Sequence, residues 1–486
     1  MIRTPRPYAF PVVKGPGTFR IFVLGESAAY GDPDPAYGFS RYLEVMLRER
    51  YPSVNFEVIN TGITAINSHV ILRIAKDVAR YQPDLFIIYA GNNEVVGPYG
   101  PGTVLTAPAM TLPAIRASIF VRSTRLGQLV SKALRPKKQP AKQWRGMEMF
   151  LDRQVPADSP MMRHVYTNFE SNLRDIVAAA QDSGARVIVS TVGTNLKDCA
   201  PFGSEHRKGL SAQDLEAWSA RVQEGASLES SGAYREALQP YMAAAQIDPE
   251  YAELQFRIAR CLYQLGDYKS AKEHFIRARD LDTLRFRADS RINQTIRSVA
   301  AKAGSRVELI DAAATFAQDS PNGIPGNDLL YEHVHMTPHG NYVLAQGFFS
   351  RIANMLPPEV QASATGKDAP DEPECERLLA LTPYDRSRVA VEMLQRIDRP
   401  PFTNQLNHSE QVLVLAQIAQ SFNESYEETV NRYEWALVHN PNDRMLHLRF
   451  ALLLYSRDRQ AAIAHFRMAR PYDGFPVVTP DGMLVN

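Results

Sequence analysis

The sequence predicts an α/β protein, a three-layer α/β/α sandwich around a parallel, flavodoxin-like sheet, to which all-α helical repeats are added. Short apolar segments alternate with amphipathic segments over the first two hundred residues. This alternation is typical of a parallel sheet covered by helices on both faces. A helical motif with a 34-residue period interrupts the alternation, which then resumes, and a related motif follows near the end of the chain.

Five apolar segments predict the strands of the sheet, and amphipathic segments predict the helices around them. The predicted strands are 19–24, 56–59, 84–89, 185–190 and 306–310. The predicted helices are 37–51, 70–81, 165–181, 290–303 and 341–355. Since open α/β sheets bind ligands beyond the carboxyl ends of their strands, we expect the functional residues to follow strands closely.

The repeat motif combines small residues, where helices touch, with aromatic residues that fill the gaps between them. Gly232-Ala233-Tyr234, Ala237, Tyr241 and Ala244 return 34 residues later as Gly266-Asp267-Tyr268, Ala271, Phe275 and Ala278. This period and composition indicate tetratricopeptide repeats. A second set follows a Pro/Ala/Asp-rich segment, with Tyr426, Tyr433, Ala436 and Pro441, then Ala462, Phe466 and Ala469.

These patterns predict a discontinuous α/β domain and two helical additions. We expect the α/β domain at 1–205 and 284–356, an inserted repeat pair at 206–283, a linker at 357–373 and a C-terminal tetratricopeptide-like helical domain at 374–486. Residues 97–160 form a further insertion, with an amphipathic helix at 115–134 and a basic loop at 135–140. It is interpreted as a surface insertion with a packed helix, with two alternatives: a lid over the site, or a surface for a membrane or partner.

Composition excludes several classes of protein. The formal charge of +1 over 486 residues gives no field that would attract nucleic acid. Three cysteines, without Cys-x-x-Cys spacing, argue against a disulfide framework. The N-terminus lacks the apolar core of a signal peptide, so the chain as it stands is expected in the cytoplasm. An anchor removed from a longer precursor would instead place it in the bacterial periplasm or envelope.

Ser27 is the candidate nucleophile, because it directly follows the first strand in Gly25-Glu26-Ser27. A serine hydroxyl needs a base to remove its proton and an acid to orient that base. Glu332-His333-Val334-His335 supplies both, with an acid three residues before a histidine. The alternative for Ser27 is a serine that caps a helix.

Two further segments could stabilise an oxyanion. Gly91-Asn92-Asn93-Glu94 follows the third strand, where an asparagine amide can donate to the developing charge. Gly62 follows the second strand and could donate its backbone N–H. Taken alone, the first segment is equally compatible with a turn.

A metal site is the competing interpretation of the histidine segment. His333, His335 and His339, with Glu332, could ligate a metal ion. We do not favour this interpretation, because it leaves Ser27 and Asn93 without a role.

Together these segments resemble the SGNH (GDSL-type) hydrolase family over roughly 17–205 and 284–355. The resemblance implies Ser27 as nucleophile, His335 as base and Glu332 as the acid that orients it. It also implies an oxyanion hole made by the N–H groups of Ser27 and Gly62 and the side-chain amide of Asn93. The family uses no metal and no cofactor, and none is expected here.

The chain departs from the family pattern at two positions, since Glu26 and Glu332 stand where aspartates are usual. We expect Glu26 to be tolerated as a residue without a chemical task, and Glu332 to orient His335 less tightly. More narrowly, the segments 89–94, Gly146-Met147-Glu148-Met149-Phe150 and Asn195-Leu196-Lys197-Asp198-Cys199 resemble those of a bacterial subgroup that combines this hydrolase with tetratricopeptide repeats.

The predicted function is therefore that of a serine esterase or deacylase acting through an acyl-enzyme on Ser27. Its substrate would be a carboxylic ester, such as an O-acetyl or short acyl group on a carbohydrate or lipid. The alternatives are an acyltransferase with the same triad, and a peptide-binding repeat scaffold whose hydrolase site is idle. A protein or peptide partner on the repeats and self-association are further expectations; a nucleic-acid partner is not.

Overall fold

Five strands form one parallel sheet in the computed structural model, which describes residues 7–106, 111–125, 128–129, 146–366, 368–421, 424–472 and 475–485. The strands are β1 Thr18–Gly25, β2 Asn55–Asn60, β3 Leu85–Tyr89, β4 Arg186–Ser190 and β5 Val307–Ile310. Their order is β2-β1-β3-β4-β5, and every neighbouring pair is parallel. The five predicted strands are confirmed.

Helices cover both faces of this sheet. The chain turns from β1 to β2 in one direction and then crosses back to β3, β4 and β5, so right-handed connections place their helices on opposite faces. Helix Phe39–Arg50 packs against Pro338–Met355, whereas Pro160–Asp182 packs against Ser68–Val78 and Ser290–Lys302. The three-layer, flavodoxin-like sandwich is thus confirmed. Shorter helices are Ser27–Tyr30 and Ala312–Asp319, with 3-10 turns at Pro35–Tyr37, Met147–Phe150, Pro321–Gly323 and Phe402–Asn404.

Two helical hairpins are inserted between β4 and β5. Their helices are Ala212–Ser230, Tyr234–Ile247, Ala252–Gln264 and Tyr268–Leu281, each packed on the next. The alanines Ala237, Ala244, Ala271 and Ala278 of the predicted motif are buried where the helices meet, whereas Gly232 and Gly266 are exposed in the turns. At Gly225 a Cβ would lie 2.5 Å from the ring of Tyr241, so this glycine lets the two helices approach.

The C-terminal part is helical as predicted, with a small addition. Its helices are Pro358–Ala362, Glu372–Leu378, Pro383–Ile397, His408–Gln420, Tyr426–His439, Arg444–Leu454 and Arg459–Met468. Tyr433, Ala436, Ala462 and Phe466 are buried, in agreement with the repeat pattern. Two short antiparallel strands near the end, Val477–Val478 and Leu484–Val485, were not predicted.

Ion pairs dock the C-terminal helices on the α/β part. Asp34, which is buried, pairs with Arg388 and Arg449. Burial opposes its ionisation, but the two guanidinium groups outweigh it and hold the pKa of Asp34 below its ordinary value. Arg41 pairs with Asp443. These contacts bring helix Pro383–Ile397 to the edge of the sheet where the strands end.

The insertion between β3 and β4 differs from its prediction. The helix spans Leu112–Ser123 and is broken at Thr124, which has an extended backbone. The hydroxyls of Ser123 and Thr124 donate to the carbonyls of Phe120 and Val121 and so compete with helix propagation. Ile115 is buried, but Phe120 is 63% exposed, so the helix is only partly packed. Predicted helix residues Leu126 and Val130 and the basic loop 135–140 lie outside the described residues.

Among the described helices, none has both the length and the apolar character needed to cross a membrane.

Candidate active site

Ser27, His335 and Glu332 meet beyond the carboxyl end of β1. Ser27 begins the short helix that follows β1, and its Oγ lies 2.8 Å from Nε2 of His335. Nδ1 of His335 forms a hydrogen bond with Oε1 of Glu332. The structure therefore brings the three predicted triad residues into one hydrogen-bonded chain, across 308 positions of sequence between Ser27 and His335.

Gly25 makes the close passage from β1 into the Ser27 helix sterically feasible. A Cβ at this position would lie 2.2 Å from the carbonyl oxygen of Tyr89 on β3 and 2.4 Å from the Cβ of Ala29. Because backbone atoms cannot give way as a flexible side chain can, any larger residue would push the serine away from the sheet. The glycine two residues before Ser27 is therefore required by packing.

Glu332 is held more firmly than the sequence led us to expect. Its side chain is buried and folds back on its own loop, where it accepts the N–H of His333 at 2.8 Å and of His335 at 3.0 Å. From this position the carboxylate reaches both amides and the imidazole of His335. The longer side chain therefore reaches His335, and the two amides fix its position.

His335 is set up as a neutral base. Burial lowers its pKa to about 4, since a buried imidazolium loses its hydration. The carboxylate of Asp32 raises the pKa and the guanidinium of Arg396 lowers it. At neutral pH the ring is therefore free to accept the Ser27 proton.

The two adjacent asparagines have different environments. Asn93 lines the cavity in front of Ser27, and its side-chain amide makes no hydrogen bond within the described part of the chain. Asn92 is buried, and its Oδ1 accepts the backbone N–H of Ala288 at 3.0 Å. Asn93 is thus the one available to a substrate, as the family resemblance implies.

Glu26 has a task that the sequence did not reveal. Its buried carboxylate faces the N–H groups of Gly91, Asn92 and Asn93 at 3.3, 2.9 and 3.3 Å. Burial, followed by the nearby charge of Glu94, raises its pKa well above the ordinary value. Glu26 therefore anchors the loop that presents Asn93, which corrects the expectation that it is merely tolerated.

The predicted backbone donors of the oxyanion hole differ in their availability. The N–H of Ser27 has no acceptor within the described ranges. The N–H of Gly62 donates to Oδ1 of Asn60 at 2.9 Å. A Cβ at Gly62 would lie 2.6 Å from the backbone nitrogen of Tyr30, so the glycine packs directly on the Ser27 helix. Its donation to an oxyanion stays a prediction and requires sharing of its present bond.

The four-ligand metal interpretation is not supported by the positions of the histidines. Ligand atoms of Glu332, His333 and His335 lie within 4.8 Å of one another. His339 is engaged elsewhere, with Nδ1 at 2.7 Å from Glu372 and Nε2 at 2.7 Å from Asp319. Because both nitrogens of His335 already bind Ser27 and Glu332, a metal ion would have to break the triad.

A cavity of about 460 Å³ opens in front of Ser27 and is lined by both apolar and charged side chains. Its apolar side chains are Val96, Met147, Phe150, Phe286 and Phe402. Its charged and amide side chains, apart from Asn93, are Asp32, Glu392, Gln395, Arg396 and Arg399. The insertion, through Met147 and Phe150, and the C-terminal helices therefore both contribute walls.

Glu94, in the loop that follows β3, makes the stability of the folded protein depend on pH. It accepts the N–H and the hydroxyl of Ser68, both at 2.8 Å, and burial raises its pKa to about 7. Because folding raises the pKa of this carboxyl, its contribution to the free energy of unfolding is lost as the pH increases from 4.5, the ordinary pKa of a glutamate, to about 7. Linkage gives a fall of about 3 kcal/mol in the free energy of unfolding over that range.

We expect the free energy of unfolding of Glu94→Gln to fall correspondingly less than that of the wild type between pH 4.5 and 8. Urea unfolding of the wild type and the variant at several pH values measures it, with exposed Glu216→Gln as the control. Parallel pH profiles for the wild type and Glu94→Gln would contradict the expectation.

Comparison with known proteins supports the repeats. Residues 228–287 match the family model of the tetratricopeptide repeat, which confirms the inserted repeats. Similar solved structures include the acetyl xylan esterase AlAXEase, at 12% identity and TM-score 0.30, covering 69% of this chain and 100% of that one. A variant of the acetyl-xylooligosaccharide esterase Axe2 is 13% identical, with TM-score 0.32, covering 69% and 94%. A catalytic mutant of Axe2, an acetylxylan esterase from Geobacillus stearothermophilus, is 12% identical, with TM-score 0.28 and the same coverage. Among curated proteins, none matches the chain.

Proposed function

We propose that this chain is a serine esterase or deacylase of the SGNH type, which hydrolyses a carboxylic ester through an acyl-enzyme on Ser27. The hydrogen-bonded chain from Ser27 through His335 to Glu332 carries the proposal. It ends at a cavity that also contains Asn93. A serine, a neutral base and a buried acid in this order are the requirements for nucleophilic acyl transfer.

In the first half-reaction His335 removes the proton of Ser27 as Oγ attacks the acyl carbonyl. The amide of Asn93 and the N–H of Ser27 donate to the resulting oxyanion. The intermediate collapses, and His335 returns the proton to the departing alcohol. Glu332 stabilises the transient imidazolium and fixes the tautomer in which Nε2 faces the serine.

In the second half-reaction water replaces the alcohol. His335 removes a proton from the water as it attacks the acyl-enzyme, and the carboxylic acid leaves with Ser27 restored. A second hydroxyl compound in place of water would give acyl transfer by the same steps.

The mixed apolar and charged lining of the cavity supports a substrate with an apolar acyl group and a polar acceptor. The volume of about 460 Å³ falls within the range of small-molecule sites. A short acyl ester of a carbohydrate or of a lipid headgroup has this division of polarity.

An active-site-directed fluorophosphonate tests the proposal. We expect one equivalent to label Ser27, as located by mass spectrometry of the digested protein. Labelling is expected to abolish hydrolysis of p-nitrophenyl acetate in proportion. Labelling elsewhere, or hydrolysis that persists in the fully labelled protein, would contradict the proposal.

The second candidate function is a peptide-binding scaffold with an idle site, and the repeat match at 228–287 supports it. A folded protein that neither labels at Ser27 nor hydrolyses esters would favour this function.

A further inference from the structure

Two charged side chains outside the triad flank the catalytic histidine. Oδ2 of Asp32 lies 3.3 Å from Nε2 of His335, the nitrogen that also contacts Ser27. Nη1 of Arg396 lies 3.4 Å from Nδ1 of the same ring. Asp32 follows the short Ser27 helix, whereas Arg396 belongs to the C-terminal helix Pro383–Ile397.

Asp32 and Arg396 form a two-pronged ion pair. Nη1 donates to Oδ2 at 3.0 Å, and Nη2 donates to Oδ1 at 2.8 Å. A guanidinium matches a carboxylate in this arrangement and fixes both its distance and its orientation. The side chain of Asp32 is 17% exposed and that of Arg396 is 25% exposed, so solvent screens the ion pair only in part.

The pair controls where the Asp32 carboxylate can point. A free carboxylate accepts hydrogen bonds only, so one this close to Nε2 would favour the tautomer with its proton on Nε2, which cannot accept the proton of Ser27. Because Arg396 occupies both oxygens of Asp32, the acid stays beside the ring while Nε2 remains directed at the serine hydroxyl. When His335 becomes charged during catalysis, Asp32 lies close enough to stabilise the imidazolium.

Other ion pairs also dock the C-terminal helices on the α/β part. Asp34 with Arg388 and Arg449, and Arg41 with Asp443, already join the two parts away from the cavity. The Asp32–Arg396 pair instead lines the cavity.

We propose that Asp32 and Arg396 are positioning residues for His335, so that the C-terminal helical part completes the active site. This inference rests on the proposed function of the triad. Arg396 orients Asp32, Asp32 acts on His335, and the charge of Arg396 also acts on the ring directly.

The charges that face His335 determine how its pKa should change when Asp32 or Arg396 is replaced. They are Glu332 on its own loop, Asp32 after the Ser27 helix, Arg396 on the C-terminal helix and the neighbouring ring of His333. Oε1 of Glu392 lies 3.5 Å from Nη2 of Arg396. Removing the negative charge of Asp32 makes protonation of His335 harder. Removing the positive charge of Arg396 makes it easier. The two changes therefore move the pKa of His335 in opposite directions.

The test uses the full chain with Arg396→Met, Asp32→Asn and the double variant. Their kcat/KM for p-nitrophenyl acetate is measured against pH, and His335 is titrated by NMR of histidine-labelled protein, assigned with His335→Gln. We expect the acid limb and the NMR titration to move upward in Arg396→Met and downward in Asp32→Asn, each by about one pH unit. We also expect kcat to fall about tenfold in each single variant and no further in the double variant, since the residues act in series.

Arg388→Met is the matched control, because it removes a docking arginine from the same helix. It is expected to lower stability without moving the acid limb. The inference would be overturned if the acid limb of the kcat/KM profile and the His335 titration stayed unchanged in both single variants. It would also be overturned if the losses of kcat added up in the double variant. In either case, fluorophosphonate labelling of Ser27 would still uphold the proposed function. If Ser27 does not label but His335 titrates as expected, the proposed function fails and the electrostatic coupling stands.

Discussion

His335→Ala and Ser27→Ala are each expected to lower kcat for ester hydrolysis by about 10⁶-fold, and the double variant by no more. Each change removes a step that the other residue needs, because the serine is activated only through Nε2 of His335, 2.8 Å away. Initial rates with p-nitrophenyl acetate measure the effect. His339→Ala is the matched control, since this histidine binds Glu372 and Asp319 outside the triad.

Glu332→Gln extends the same prediction to the acid. The amide keeps the size of the side chain but loses its charge and can present N–H to Nδ1, which favours the wrong tautomer of His335. We expect kcat to fall by about 10⁴-fold. A rate within tenfold of the wild type in any of these three variants would contradict the triad.

Asn93→Ala and Asn92→Ala are expected to separate catalysis from stability. Asn93 has a side chain free of intramolecular bonds within the described residues and lines the cavity. Its removal is expected to lower kcat by 10²–10³-fold, or about 3 kcal/mol of transition-state stabilisation, with KM almost unchanged. The free energy of unfolding should stay close to that of the wild type.

Asn92→Ala is expected to have the opposite profile. Its Oδ1 accepts the N–H of Ala288, so the variant leaves a buried donor without a partner and loses about 1–3 kcal/mol of stability. Steady-state kinetics and urea unfolding of both variants provide the comparison. Equal losses of kcat from the two variants would mean that the loop as a whole, held by Glu26, matters more than the Asn93 amide.

Local sequence patterns were sufficient to predict the strands, the helices and the candidate catalytic residues. Apolar runs such as 19–24 and 84–89 became adjacent buried strands, and the 34-residue period became packed helical hairpins. Ser27, Asn93 and His335 were found because each follows a strand or precedes a helix in a recognisable motif. The predicted helix at 115–134 is interrupted at Thr124, where side-chain hydroxyls bond to preceding carbonyls, and Arg125 and residues 128–129 are helical again.

The sequence by itself determined the sheet, the repeats and the candidate nucleophile, base, acid and oxyanion donor, because periodicity and motif spacing are local properties of a chain. Only the tertiary structure decided what surrounds them. Glu26 became the anchor of the Asn93 loop through contacts with residues 65 to 67 positions away. Arg396 reached Asp32 across 364 positions. In sequence, Glu392 and Arg396 have the i,i+4 spacing of a solvated helix face, and only docking of that helix over the sheet turned the face toward His335.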